Sequence, residues 1–191
     1  MPMSWDRREF LCRSTSFAVA SAMGIGMCAV TSMAAEAAQD AIPLRLTNVN
    51  TNEAYDVQLF VNGGWNPNAL LVCDHLMRDW RQAKSVVCDR KLYASLYVVQ
   101  RFFAPSERVR IHSGFRTRET NDLLRSKGYS PADNSQHLYA RAVDFSIPGA
   151  PLRDVAKAVK ALGIGGTGLY LKDGFVHMDT RGRSAQWGDA F

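Results

Sequence analysis

The residues best able to do chemistry in this chain are two histidines and an aspartate. His137 and Asp144 lie seven residues apart in Ser135-Gln136-His137-Leu138-Tyr139-Ala140-Arg141-Ala142-Val143-Asp144-Phe145, and His177 follows in Phe175-Val176-His177-Met178-Asp179-Thr180. Two imidazoles and one carboxylate make the ligand set of a hydrolytic zinc site, with three protein donors and a fourth position left to water. Spacing alone does not separate such a set from a chance pairing. Asp144 sits between Val143 and Phe145 in an apolar run, where a charge buried without a partner would cost several kcal/mol, so the position calls for a cation or a positively charged neighbour. Asp179 falls on the same strand face as His177, two residues on, from where it could orient a ligand. Arg116 closes Val109-Arg110-Ile111-His112-Ser113-Gly114-Phe115-Arg116. Its forked guanidinium could hold a substrate carboxylate or the oxyanion formed when water adds to an amide, the competing reading being a surface ion-pair partner.

Positioning these groups requires a framework of strands and helices. Leu44–Val49 and Tyr55–Val61 alternate apolar and polar residues and read as an antiparallel hairpin. Asn66 before Pro67 reads as a cap and first turn of a helix through Leu70, Leu71, His75, Leu76 and Trp80. Asp89 caps a second helix with Leu92, Leu96, Val99 and Phe103 on its apolar face. After the strand at Val109, Thr117 caps a helix from Arg118 to Lys127, stopped by Gly128. A polar loop leads to His137, a strand runs from Ala142 to Ile147, and Pro151 opens a helix closed by Gly163. Asp173-Gly174 reads as a tight turn into the His177 strand. Gly165-Gly166-Thr167-Gly168 is not a phosphate loop, because it lacks the GK[ST] ending and precedes a strand. His75 reads as a structural histidine near the surface. His112 reads as a buried structural histidine that could also line the pocket.

The 191 residues are 47% hydrophobic and 21% charged, which leaves room for one globular domain and argues against disorder. A formal charge of +5 would suit an anionic partner. Lys and Arg are scattered without a basic run, so no nucleic-acid partner is expected. Residues 1–37 read as an export signal: Arg7-Arg8, then Phe10-Leu11, a weakly apolar stretch from Ser16 to Val30, and Ala35-Glu36-Ala37 as a cleavage site. The arginine pair and the modest apolar core favour the twin-arginine route to the periplasm. Membrane contact is expected only through this segment if it stays uncleaved. The domain proper is then 38–191, keeping Cys73 and Cys88, which could pair as a disulfide in an oxidising compartment or stand as two buried thiols.

Ser113-Gly114-Phe115-Arg116, Ser135-x-His137 with Asp144 seven residues on, Gly168-Leu169-Tyr170 and Phe175-Val176-His177-Met178-Asp179-Thr180 occur in an order that resembles the zinc murein peptidases. These share a fold with D-Ala-D-Ala carboxypeptidases, lysostaphin and the hedgehog signalling domain, and within the group the likeness is to exported murein endopeptidase K-like proteins. The resemblance implies an α+β domain in which a small antiparallel sheet flanked by helices carries one Zn2+ ion. It implies His137, Asp144 and His177 as ligands, Arg116 at the oxyanion or substrate, and Ser135 near the substrate carboxylate or backbone. The implied activity is hydrolysis of cross-links or stem peptides of peptidoglycan, as an endopeptidase or carboxypeptidase, by a monomer. Two positions depart from the family pattern. Ala140 stands where many relatives have glycine, and Gly174 stands where many have the acidic general base. The base is then Asp173, Asp179 or no carboxylate at all, and a non-catalytic wall-binding module that keeps the fold is the alternative function.

Overall fold

Leu44, Leu46 and Asn48 alternate with Arg45 and Thr47, a period-two pattern that buries one face of a strand, and Leu44–Asn48 (β1) is that strand. It turns back into Ala54–Val57 (β2), with Leu44 opposite Val57. The hairpin is the one expected, except that its return strand ends at Val57. The computed structural model describes residues 42–191, so the expected export signal and its cleavage site lie outside the described residues. Phe60–Val61 (β3) and Gly64–Trp65 (β4) form a separate two-stranded ribbon. Asn66 caps Pro67–Leu76 (α1) by accepting from the Asn68 and Ala69 amides, with proline in the first turn, where a missing N–H is harmless. The helix stops at Leu76, short of Trp80.

Asp89 caps Arg90–Phe103 (α2) through the Lys91 amide. Val109–Ser113 (β5) leads to Thr117, which caps Arg118–Ser126 (α3) through the Thr120 amide. A short 3-10 turn, Gln136–Tyr139, precedes Ala142–Ser146 (β6). Pro151 opens Leu152–Leu162 (α4), which ends on Gly163 in the left-handed conformation. Gly166–Tyr170 (β7), Phe175–Asp179 (β8) and Ala185–Gly188 (β9) complete the described elements.

Seven strands make one sheet in the order β2-β1-β5-β6-β8-β7-β9. Its centre, β5-β6-β8-β7, is antiparallel, in keeping with the expected α+β class. The whole is larger than a small antiparallel sheet, because β1 joins β5 and β9 joins β7 in parallel. Val143, Phe145, Leu169, Val176 and Met178 are fully buried and belong to one core with Leu92, Leu96 and Val99 of α2 and Val155 and Val159 of α4. Successive strand residues point to opposite faces. The register that buries these apolar side chains therefore turns Asp144 and His177 to the other face.

Away from that face, α1 and α2 are joined by a buried carboxylate. Asp74 accepts from the Tyr93 hydroxyl at 2.6 Å, the Cys88 amide at 3.0 Å and Arg90 Nη1 at 3.1 Å. Burial, reinforced by the nearby Cys88 and Asp74, raises the Tyr93 pKa, so the phenol remains a donor. Cys73 and Cys88 are buried free thiols here, the second of the two arrangements their sequence context allows. Burial pushes them up to about 12 and about 11, so each packs as a neutral thiol. Arg90 is partly exposed and contributes little as an ion pair. Tyr93 carries more. Tyr93→Phe is expected to lower the free energy of unfolding by about 2 kcal/mol, the scale of a hydrogen bond to a buried charged group, measured by urea titration with an unchanged slope.

Candidate metal centre

Pairing across the sheet sets Ser113 beside Asp144, Asp144 beside His177, His177 beside Gly168 and Gly168 beside Trp187. Five strands thus contribute one row of residues to one face. A register shift in β5 between Ile111 and Ser113 bends the strand end, as bulges do, and delivers Gly114 to Arg116 to the site. At Gly114 a Cβ would lie 2.4 Å from the Met77 carbonyl oxygen, so only glycine allows this close passage. The Phe115 amide then donates to that carbonyl at 2.7 Å.

This passage fixes His137. Its Nδ1 donates to the Gly114 carbonyl at 2.6 Å, and its own carbonyl accepts from the Arg116 amide at 3.1 Å. Nε2 is left facing His177 Nδ1 at 3.3 Å and Asp144 Oδ2 at 3.3 Å. His177 is held in mirror fashion: Nε2 donates to Asp179 Oδ2 at 3.2 Å, and Nδ1 lies 2.8 Å from Asp144 Oδ1. One atom from each of these three buried residues lies within 4.8 Å of the other two. With both outer nitrogens protonated, everything pointing inward is an acceptor. Such a set suits a cation, and the bonds outside it select the ligating nitrogens in the manner usual for metal-binding histidines.

The charges agree. Burial opposes ionisation of Asp144, but His137 and His177 outweigh it and hold the carboxyl well below the usual range. Burial, and then Arg116, hold the His137 pKa below its ordinary value, leaving the imidazole neutral and free to ligate. For His177 burial also opposes charge, yet the bonds to Asp144 and Asp179 raise its pKa. A proton can therefore sit in this pocket where a metal ion also could.

The structure places the remaining candidates differently. Arg116 gives Nη2 to Asp144 Oδ2 at 2.6 Å and Nε to the Ser113 hydroxyl at 2.7 Å. Ser135 begins the 3-10 turn without using its side chain as a cap and lies on the cavity wall. Asp179 is fully buried and accepts from the Gly166 amide, the Arg181 amide and the Arg181 guanidinium as well as from His177. Four donors fill the acceptor positions of a carboxylate, and His177 Nε2 is one of them. Asp173 lies exposed in the turn between β7 and β8, on the cavity rim and outside the three-residue cluster. Ala140 holds φ 53°, the left-handed region glycine enters freely, at a cost of about 1 kcal/mol for alanine. His112 lines the cavity with Nε2 on the Ser146 hydroxyl at 2.8 Å, and His75 pairs with Glu53 at the surface.

Three residues assigned no role by the sequence complete the site. A Cβ on Gly168 would lie 2.5 Å from Trp187 Nε1. The bare strand therefore lets the indole settle against His177, ring centroids 5.1 Å apart, which explains the glycine-rich run ahead of β7. Trp187 Nε1 donates to the Tyr170 hydroxyl at 2.9 Å, and Arg181 lies over the indole, 5.0 Å from its centroid. These groups, with Arg81 and Lys127, line a cavity of ≈ 910 Å³ that opens on the His-Asp-His cluster. The glycine run was a visible signal, but the tryptophan it makes room for lies beyond β8.

Asp179→Ala is expected to weaken zinc binding about 10- to 100-fold, the usual effect of removing a group that orients a ligand. Competition against a chromophoric chelator measures it, and full zinc occupancy at saturating metal is expected to persist.

The family model Peptidase_M15_2, described as peptidoglycan L,D-endopeptidase MepK, matches residues 36–187. The chain is similar to the peptidoglycan L,D-endopeptidase MepK of Escherichia coli K12, at 33% identity over 144 residues, covering 75% of this chain and 79% of that protein. It is also similar to a Haemophilus influenzae protein described as probable peptidoglycan L,D-endopeptidase MepK, at 32% identity over 138 residues, 72% of this chain and 74% of the relative. No solved structure matches the chain.

Proposed function

The chain belongs to the peptidoglycan L,D-endopeptidase MepK family, and from that premise we propose that it is a zinc endopeptidase that hydrolyses an L,D bond in the peptide cross-links of peptidoglycan. The observation that carries this reading is the inward-facing acceptor set of His137, Asp144 and His177, with each outer imidazole nitrogen already committed to an acceptor. These three residues would hold the ion. Bound there, zinc supplies a water of lowered pKa and polarises the peptide carbonyl.

The chain's own groups do the rest. Gly114 and Asp179 keep the two histidines in the ligating tautomers. Arg116, tethered through Nε and Nη2, offers Nη1 to the carbonyl oxygen of the substrate. Ser135 on the wall beside His137 is suited to a substrate carboxylate or backbone. Position 174 is glycine and Asp179 is saturated, which leaves the exposed Asp173 on the cavity wall, or no carboxylate at all, to take the proton of a metal-bound water. That same observation favours the second reading, a wall-binding module without turnover. The relatives' printed activity favours endopeptidase over carboxypeptidase. The Arg7-Arg8 segment supports export to the periplasm by the twin-arginine route. Among the described residues no helix is long and apolar enough to cross a membrane.

Purified muropeptide dimers incubated with the protein are expected to be cleaved. A chelator is expected to stop the reaction and added zinc to restore it, while zinc-loaded protein that releases no peptide would sink the enzyme reading. His137→Ala and His177→Ala are expected to lose both bound zinc and cleavage. Arg116→Ala is expected to keep its zinc and lose about 10²- to 10³-fold in kcat, the scale of one oxyanion donor.

A further inference from the structure

Among the polar groups that line the cavity and that the preceding mechanism leaves unused is the Tyr170 hydroxyl. Tyr170 is on β7, two residues beyond Gly168 on the same strand face, so it shares the side of the sheet that carries His177 and Asp144. Its ring packs on Phe175 with centroids 4.7 Å apart. Trp187 Nε1 can only donate, and it donates to the Tyr170 oxygen at 2.9 Å. The phenol oxygen therefore accepts from Trp187, and its own proton is left to be donated elsewhere. Burial raises the pKa of this phenol, so it keeps that proton across the neutral range.

The sheet order fixes where that donor stands. Arg116 follows β5, on one side of the ligand-bearing strands β6 and β8, and Tyr170 is on β7, on the other side. A peptide carbonyl brought to the His-Asp-His cluster would thus have a guanidinium to one side and a phenol to the other. We propose that Tyr170 is a second hydrogen-bond donor to the carbonyl oxygen as it becomes the tetrahedral oxyanion, and that Trp187 is a positioning residue that holds the phenol for this role. No proton leaves Tyr170 in the step. The hydrogen bond strengthens as charge gathers on the oxygen, which is how such donors accelerate acyl chemistry. This rests on the peptidase reading above. It gives the indole, for which Gly168 leaves space, a purpose beyond packing.

The test compares zinc-loaded wild type, Tyr170→Phe and Trp187→Phe on a purified muropeptide dimer. Tyr170→Phe is expected to lower kcat about 10²-fold, with KM, zinc content and melting temperature as in wild type. Trp187→Phe, which keeps a ring but loses the N–H, is expected to fall between the two. A phosphinate peptide that mimics the tetrahedral state is expected to bind Tyr170→Phe more weakly by the factor lost in kcat/KM, while the cleavage product binds equally to both. Wild-type turnover decides the peptidase reading by itself. If the wild type is active, an unchanged kcat in Tyr170→Phe overturns the proposal, as does a loss confined to KM or one that follows a loss of zinc. A Trp187→Phe variant as fast as wild type beside a slow Tyr170→Phe overturns the positioning role alone.

Discussion

The site depends on a carboxylate placed in the middle of a sheet, where water cannot solvate it. Asp144 is 4% exposed, and an isolated charge at such a depth would drive the group to neutralise. Three partners prevent that: Arg116 on Oδ2, His177 on Oδ1 and His137 close to Oδ2. Each partner is in turn held by something rigid. His137 is pinned to a backbone carbonyl, Arg116 to Ser113 and His177 to Asp179, itself clamped by Arg181 and the Gly166 amide. Satisfying one buried charge therefore organises side chains from three strands, a backbone amide of a fourth, and three segments outside the strands: the end of β5 at Gly114 to Arg116, the turn at His137 and the loop at Arg181.

Core and site share a single register. The pairs that bring Asp144 to His177 also bring Val143 to Met178 and Phe145 to Val176. A slip of one residue would turn both sets over, exposing apolar side chains worth roughly 1.5–3 kcal/mol each when buried. The geometry of the cluster is thus protected by hydrophobic packing on the opposite face, not by its own polar bonds alone.

What could be read in advance followed locality. The caps at Asn66, Asp89 and Thr117, the stop at Gly163 and the strands around Asp144 and His177 are set by near neighbours in the chain, and they stand where the residues suggested. Asp179, offered as ligand orienter or base, has His177 Nε2 among its donors. Asp173, the other candidate base, lies exposed in the turn between β7 and β8 and lines the same cavity as the ligands. The cysteine pair was argued from count and compartment, which hold no geometry, and the structure packs the two as separate thiols. Trp187 escaped notice because its place depends on a parallel pairing of β7 with β9, with β8 intervening in sequence. Parallel pairing joins segments remote along the chain and leaves no short-range trace. The glycines of β7 recorded the space the indole needs without saying what fills it.

The row across the sheet also divides the site into two parts. The three inward-facing acceptors are carried by residues up to β8, whereas the indole against His177 comes from β9. The cluster and the ring that covers one side of it thus belong to different strand pairings, and β7, which borders both β8 and β9, is the seam that joins them. Its bare glycine at position 168 lets the two parts touch.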